Sequence, residues 1–256
     1  MPSYADYLKL DDLLVLQQPG SDHDEMLFIV IHQTYELWFK ETLHELDYLQ
    51  TLLGKDDLPR AGHAMKRVLT ILKVLVAQVD ILETMTPLEF VSFRARLESG
   101  SGFQSAQFRE LEFVVGHKRT SALEPYQSGS AERIRLERRY RAPSLWDWFA
   151  LFLAKRGHAV PDDVLKRDVT QPPAPSADMQ RILIGIYRSD AALAEFCERL
   201  VDLDEGLQEW RYRHVKMVAR TIGTKAGTGG STGAEYLRTT IMRPIFPDLW
   251  AIRSEF

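Results

Sequence analysis

Two histidines stand where a helical packing pattern calls for core residues. Phe28, His32, Tyr35, Phe39, Thr42, Leu46, Leu49 and Leu53 follow one another in steps of four and three, and Leu193, Phe196, Leu200, Leu203, Leu207, Trp210, His214 and Met217 in steps of three and four. Such spacing marks the seam of a long helix facing a core, so the imidazoles of His32 and His214 are expected to point inward. A single inward histidine is ordinarily a neutral ring hydrogen-bonded to a neighbour. Two in matching positions point further, because an imidazole inside an apolar helical bundle is what a haem iron takes as axial ligand, with flat aromatic and aliphatic walls for the macrocycle. Phe28 and Trp210 each precede a histidine by one turn and can supply such walls. No Cys-x-x-Cys-His segment is present, so the haem would be noncovalent and b-type. The spacing leaves open which histidine ligates.

Other positions suit a charged ligand. Phe90 and Arg94 lie four apart after Pro87, on one face of a short helix; an inward arginine is a bidentate carboxylate clamp, and an outward one a surface ion pair. Lys225-Ala-Gly-Thr-Gly-Gly-Ser-Thr-Gly233 is dense in glycine and hydroxyls. It suits either a linker or a loop that cradles an anionic or zwitterionic group through its backbone amides. It lacks the Gly-Lys-Ser/Thr of a P-loop. His44-Glu45 has no second histidine four residues on, so the zinc-protease motif is absent. His23, His63, His117 and His158 are expected at the surface, and the basic run Arg133–Arg141 as a solvated helix face.

The elements that must position these residues are helices. Runs of alternating β-branched residues bounded by turns are hard to find, so an all-α bundle of long helices enclosing the haem is expected. Met65–Val79, apolar on almost every face, is expected at the bundle centre. Breaks fall at Gln18–Ser21, Thr86-Pro87 and Glu98–Gly102, and the proline-rich stretch 168–178 reads as a loop inside a single domain of residues 1–256. A net charge of -4 and a pI near 6.0 give no general attraction to nucleic acid or to an anionic membrane. Apolar stretches such as Met26–Ile31 and Trp148–Ala154 fall far short of the roughly 20 residues that span a bilayer. The acidic start MPSYADYLKLDDLL lacks the pattern of a secretory signal, so a cytoplasmic location is expected. Cys197 is the only cysteine, which leaves no internal disulfide, cysteine zinc site or iron–sulfur cluster.

The segments His23–Phe39, Ser101-Gly-Phe-Gln-Ser-Ala-Gln-Phe-Arg109, Trp210-Arg-Tyr-Arg-His214 and Gly227-Thr-Gly-Gly-Ser-Thr-Gly233 closely resemble the tryptophan 2,3-dioxygenases and span most of the chain in family order. The resemblance implies an all-helical haem enzyme that inserts both atoms of dioxygen into L-tryptophan to give N-formylkynurenine. It also implies a homotetramer, a dimer of dimers. Carried over by motif, His214 resembles the proximal iron ligand and His32 the distal residue that faces the indole nitrogen. Arg94 resembles the residue that binds the substrate carboxylate, and Thr228 the one that contacts its ammonium and carboxylate. Phe28 and Phe90 resemble pocket walls, Phe90 standing where some members carry tyrosine. Ser101 resembles a residue close to the haem pocket. Tyr4 and Tyr7, on an N-terminal arm of residues 1–20, resemble aromatics donated by a neighbouring subunit.

Three other readings compete. A haem enzyme of the same superfamily can hydroxylate tyrosine or a substituted indole, and a helical haem protein can be a noncatalytic sensor. A nonhaem iron oxygenase would need a facial third ligand that the helical pattern does not offer.

Overall fold

Glu25–Gly54 (α3) carries its apolar residues at helical spacing without an internal proline, and as a 30-residue helix it runs about 45 Å. In the computed structural model, which describes residues 1–97, 104–223, 225 and 243–256, α3 ends at a turn through Lys55 and Asp56, the latter in the left-handed region at φ 62°. Asp57 then caps Leu58–Leu82 (α4), its side chain accepting from the Arg60 N–H at 3.2 Å. A third long helix joins this hairpin: Ala191–Ile222 (α11), capped by Asp190, lies along α4. The approach is close: a Cβ at Gly206 would fall 2.6 Å from a Leu72 methyl, which would have to shift.

Shorter helices complete the bundle. Tyr4–Leu8 (α1) and Leu10–Leu13 (α2) form the N-terminal arm; Pro87–Arg94 (α5) starts at a Thr86/Glu89 capping box. Ala106–Val115 (α6) packs on α3 and on Ala131–Arg141 (α7); Leu145–Lys155 (α8) packs on α3. Asp162–Leu165 (α9), Ala177–Ser189 (α10) and Pro247–Ala251 (α12) follow in chain order, with α10 and α12 both against α11. No strand occurs among the described residues, as an all-α chain requires. Among them no helix is long and apolar enough to cross a membrane. The proline-rich loop ends at Ser176, which caps α10, so residues 177 and 178 are helical.

The main core joins Phe39, Leu46, Leu49 and Leu53 of α3 to Met65, Val68 and Leu72 of α4, the α8 aromatics, and Phe196, Leu200 and Leu203 of α11. Burial of these side chains drives assembly. The helix enclosed on every side is α6 rather than α4. Val74 of α4 is 39% exposed, whereas every residue from Phe108 to Val115 is buried. That burial includes charges, and pairing makes it tolerable. Glu112 accepts from Arg109 at 2.5 Å, Arg119 at 2.7 Å and Arg211 at 3.3 Å; Glu110 accepts from Arg135 and Arg139. The basic run on α7 is therefore only partly solvated, since Arg139 also grips Asp47 through two bonds of 2.5 and 2.7 Å.

Candidate active site

Both histidine seams change character at the same end of the bundle. Phe39 to Leu53 on α3 and Leu193 to Leu207 on α11 are buried seam positions. Toward the histidines, Phe28, His32 and Tyr35, and likewise Trp210, His214 and Met217, are only half-buried. Two apolar stripes that meet in a core thus both gain exposure toward their histidines. The two sides meet: Tyr35 and Trp210 are edge-to-face with centroids 6.3 Å apart, and Met217 packs against the cluster that holds Phe28 and Phe90. The Tyr35 hydroxyl donates to the Leu75 carbonyl at 2.7 Å, which registers α3 against α4 beside these rings.

Aromatic rings form one wall. The Phe28 ring is 4.0 Å from that of His32, 5.9 Å from Phe90 and 5.5 Å from Phe93, and Phe90 and Phe93 are 5.5 Å apart edge-to-face. Phe93 is fully buried. It is the member of this group that the sequence reading missed, although it lies one turn from Phe90 on α5. Arg94, half-buried, closes the same helix.

The two imidazoles are held neutral. His32 Nδ1 lies 2.7 Å from the Phe28 carbonyl oxygen, an atom that can only accept, so Nδ1 carries the proton and Nε2 presents a lone pair. Burial pushes its pKa below the ordinary value. His214 is pushed down to about 4, chiefly by burial, then by the charge His32 would carry and by Arg109. The indole of Trp210 lies against the His214 ring, 5.3 Å between centroids and 4° from parallel. Its Nε1–H is buried and reaches the Tyr35 hydroxyl only with poor geometry.

Ion pairs fix α11 around His214. Arg213 bonds Asp80 and Glu83 of α4, and Arg220 reaches the same Glu83 at 3.2 Å. On the other flank, buried Arg211 donates to Glu112 and, at 3.0 Å, to His117 Nε2. His117 is thus half-buried and hydrogen-bonded, not the surface residue its sequence context suggested; burial and Arg211 push it down to about 3. The pattern around Arg211 hides this network, since Arg109, Glu110, Glu112 and His117 look like one solvated stretch.

This donor set fits a haem. Two imidazoles held neutral stand beside aromatic rings, close enough for the charge of one to act on the other, and an arginine lies close enough to act on His214. Among the described residues no three His, Cys, Asp or Glu side chains gather to hold a metal ion by themselves, so an iron here needs most of its ligands from elsewhere. Tyr4 and Tyr7 are 76% and 77% exposed on the arm. Ser101 and Thr228 lie outside the described residues.

The chain is similar to known proteins over its whole length. The sequence is 59% identical over 256 residues to a tryptophan 2,3-dioxygenase of Herpetosiphon aurantiacus, covering 99% of this chain and 98% of the relative. It is 55% identical over 258 residues to one from Anaeromyxobacter sp. strain K (98% and 95%), and 44% over 259 residues to one from Arthrobacter sp. strain FB24 (99% and 91%). A family model described as tryptophan 2,3-dioxygenase matches residues 2–142 and 173–256, both histidine seams included, and the chain belongs to that family.

Proposed function

We propose that the chain binds haem b noncovalently and inserts both atoms of dioxygen into L-tryptophan, cleaving the indole C2–C3 bond to give N-formyl-L-kynurenine. This is the first step of tryptophan breakdown through kynurenine. The observation that carries the reading is the pair of neutral imidazoles, one from α3 and one from α11, each set against an aromatic ring. His214 would hold the iron, with Trp210 beside it and Ser101 near the pocket. Reduced haem iron supplies the dioxygen chemistry.

The protein's part is binding and orientation. His32 presents an unprotonated Nε2, which accepts the indole N–H and discriminates against a ring that lacks a donor there. Phe28 and Phe90 hold the indole by their faces and exclude water. Arg94 pairs with the carboxylate, and Thr228 contacts the ammonium and carboxylate. Tyr4 and Tyr7 complete the pocket of a neighbouring subunit in a cytoplasmic homotetramer, a dimer of dimers. The arm supports this: Leu14, Val15 and Leu16 are 69%, 66% and 60% exposed, a run of apolar surface that another subunit would cover.

The test is to reduce the haem-loaded protein anaerobically, add L-tryptophan and isotopically labelled dioxygen, and count label in the product by mass spectrometry. Two labelled oxygens in a ring-opened product are expected. One labelled oxygen, or hydroxylation of L-tyrosine in preference, would move the protein to a monooxygenase role. Tight binding with no product would make it a sensor.

A further inference from the structure

Arg96 lies two residues beyond Arg94, in the 3-10 turn Ala95–Leu97 that follows α5. Its Nη2 donates to Glu25 Oε2 at 2.8 Å and to Asp22 Oδ2 at 2.5 Å. Glu25 opens α3 and is 8% exposed, and the same Oε2 accepts the Gly20 N–H at 2.5 Å. Burial raises the pKa of this carboxyl, yet Arg96 and the Gly20 amide together hold it below its ordinary value. Asp22 is held down in the same way, by Arg96 and by the Ser92 hydroxyl of α5. A Cβ at Gly20 would sit 2.9 Å from both Arg96 Nε and Glu25 Oε2, so a side chain there would displace the pair. One guanidinium therefore fastens three segments: the root of the arm, the start of α3 and the end of α5.

The fastening bears on the pocket because α5 is a short helix whose one buried side chain is Phe93. Phe90 and Arg94 share a half-buried face beside it, and the helix also packs on Phe28 and on α11. None of these contacts lies beyond Arg94, and the Arg96 pair adds a hold at that C-terminal end. Phe28 and His32 project from the α3 segment to which Arg96 is tied. The attachment thus sets α5 against the wall it faces.

We propose that Arg96 and Glu25 are positioning residues that hold Arg94 at carboxylate-binding distance from the indole slot, and so select ligands that carry a carboxylate. This rests on the reading above in which Arg94 pairs with the carboxylate of L-tryptophan. Arg96 and Glu25 touch no ligand atom in this scheme and act through the placement of α5. Lost preorganisation weakens contacts made by the clamp and spares those made by the aromatic slot.

The test uses the haem-loaded full chain and the variants Arg96→Gln, Glu25→Gln, the double variant and Arg96→Lys. KM and kcat for L-tryptophan are measured with inhibition constants for indole-3-propionate, which keeps the carboxylate, and tryptamine, which lacks it. Haem absorbance and the melting temperature of each variant check the fold; Arg96 is 41% exposed, so Arg96→Gln disturbs no core. The expected result is a rise of about tenfold in KM and in the indole-3-propionate constant, with kcat and the tryptamine constant within about twofold. The double variant should be no worse than either single one, and Arg96→Lys should recover part of the loss. Equal weakening of both inhibitors, additive effects, or no change would overturn the proposal. If the unaltered protein does not turn over L-tryptophan, the functional reading falls first, and that result is distinct from a wild-type enzyme whose variants behave like it.

Discussion

The indole of Trp210 and the imidazole of His214, one helical turn apart on α11, lie 4° from parallel with centroids 5.3 Å apart. A ring stacked on the imidazole restricts its rotation, which would hold its orientation toward an iron. Trp210 is itself wedged between Phe108, 4.7 Å away, and the edges of Tyr35 and Phe39, both at 6.3 Å. The orientation of His214 is therefore set by packing from α3 and α6 as well as by its own helix.

The Trp210 ring makes one prediction. Trp210→Phe removes ring volume packed against Phe108, Tyr35 and Phe39, so it should lower the melting temperature of the haem-free protein, by about 1–3 kcal/mol of stability. Haem should also leave this variant faster, as measured by transfer to apomyoglobin, because a smaller ring holds the His214 imidazole less firmly. Unchanged haem transfer would show that the stacked indole has no part in holding His214.

The two histidines should separate cleanly. His214→Ala should fail to retain haem, and added imidazole should restore a haem spectrum. His32→Ala should keep its haem and lose turnover by on the order of a hundredfold, since it removes the acceptor for the indole N–H. Haem-to-protein ratios and steady-state rates measure both. The opposite pattern would exchange the two roles.

His117 predicts acid sensitivity. Burial and the Arg211 guanidinium hold it at about 3 in the folded protein, against an ordinary value near 6.5. Between these values the unfolded chain binds more protons than the folded one. Stability is then lost as pH falls below about 6.5, by up to about 1.4 kcal/mol per pH unit for this one group. Glu112, also lowered, adds a loss of the same sign at more acid pH. Urea unfolding of the haem-free protein at pH 7 and pH 5 should show the loss, and His117→Gln should flatten it. An equal slope in the variant would assign the effect to other groups.

Asp204 ties the end of the chain to α11. Fully buried, its Oδ2 accepts from the Ile245 and Phe246 amides at 2.7 and 3.1 Å and from Trp250 Nε1 at 2.9 Å, while Oδ1 accepts from Gln208. Asp204→Ala would leave two buried backbone donors unpaired and cost about 3 kcal/mol or more. Denaturant unfolding gives the loss. Hydrogen exchange should locate it at Ile245 and Phe246 first.

Much of the architecture was legible along the chain because a helix repeats every 3.6 residues and its core face is written in that period. The two seams are local features, and they put both histidines on inward faces. What a single stretch of sequence could not carry is whatever depends on a partner far along the chain. Glu112 gains Arg211, 99 residues away, in addition to the nearby Arg109 and Arg119, and such pairing lets α6 lie buried. His117 becomes a half-buried, hydrogen-bonded base for the same reason, and Arg96 acquires its role from Glu25, 71 residues earlier. Local periodicity therefore determined the helices and the two imidazoles that face inward; tertiary contact alone decided which charges are buried, because a buried charge is tolerable only beside a partner that the fold brings to it.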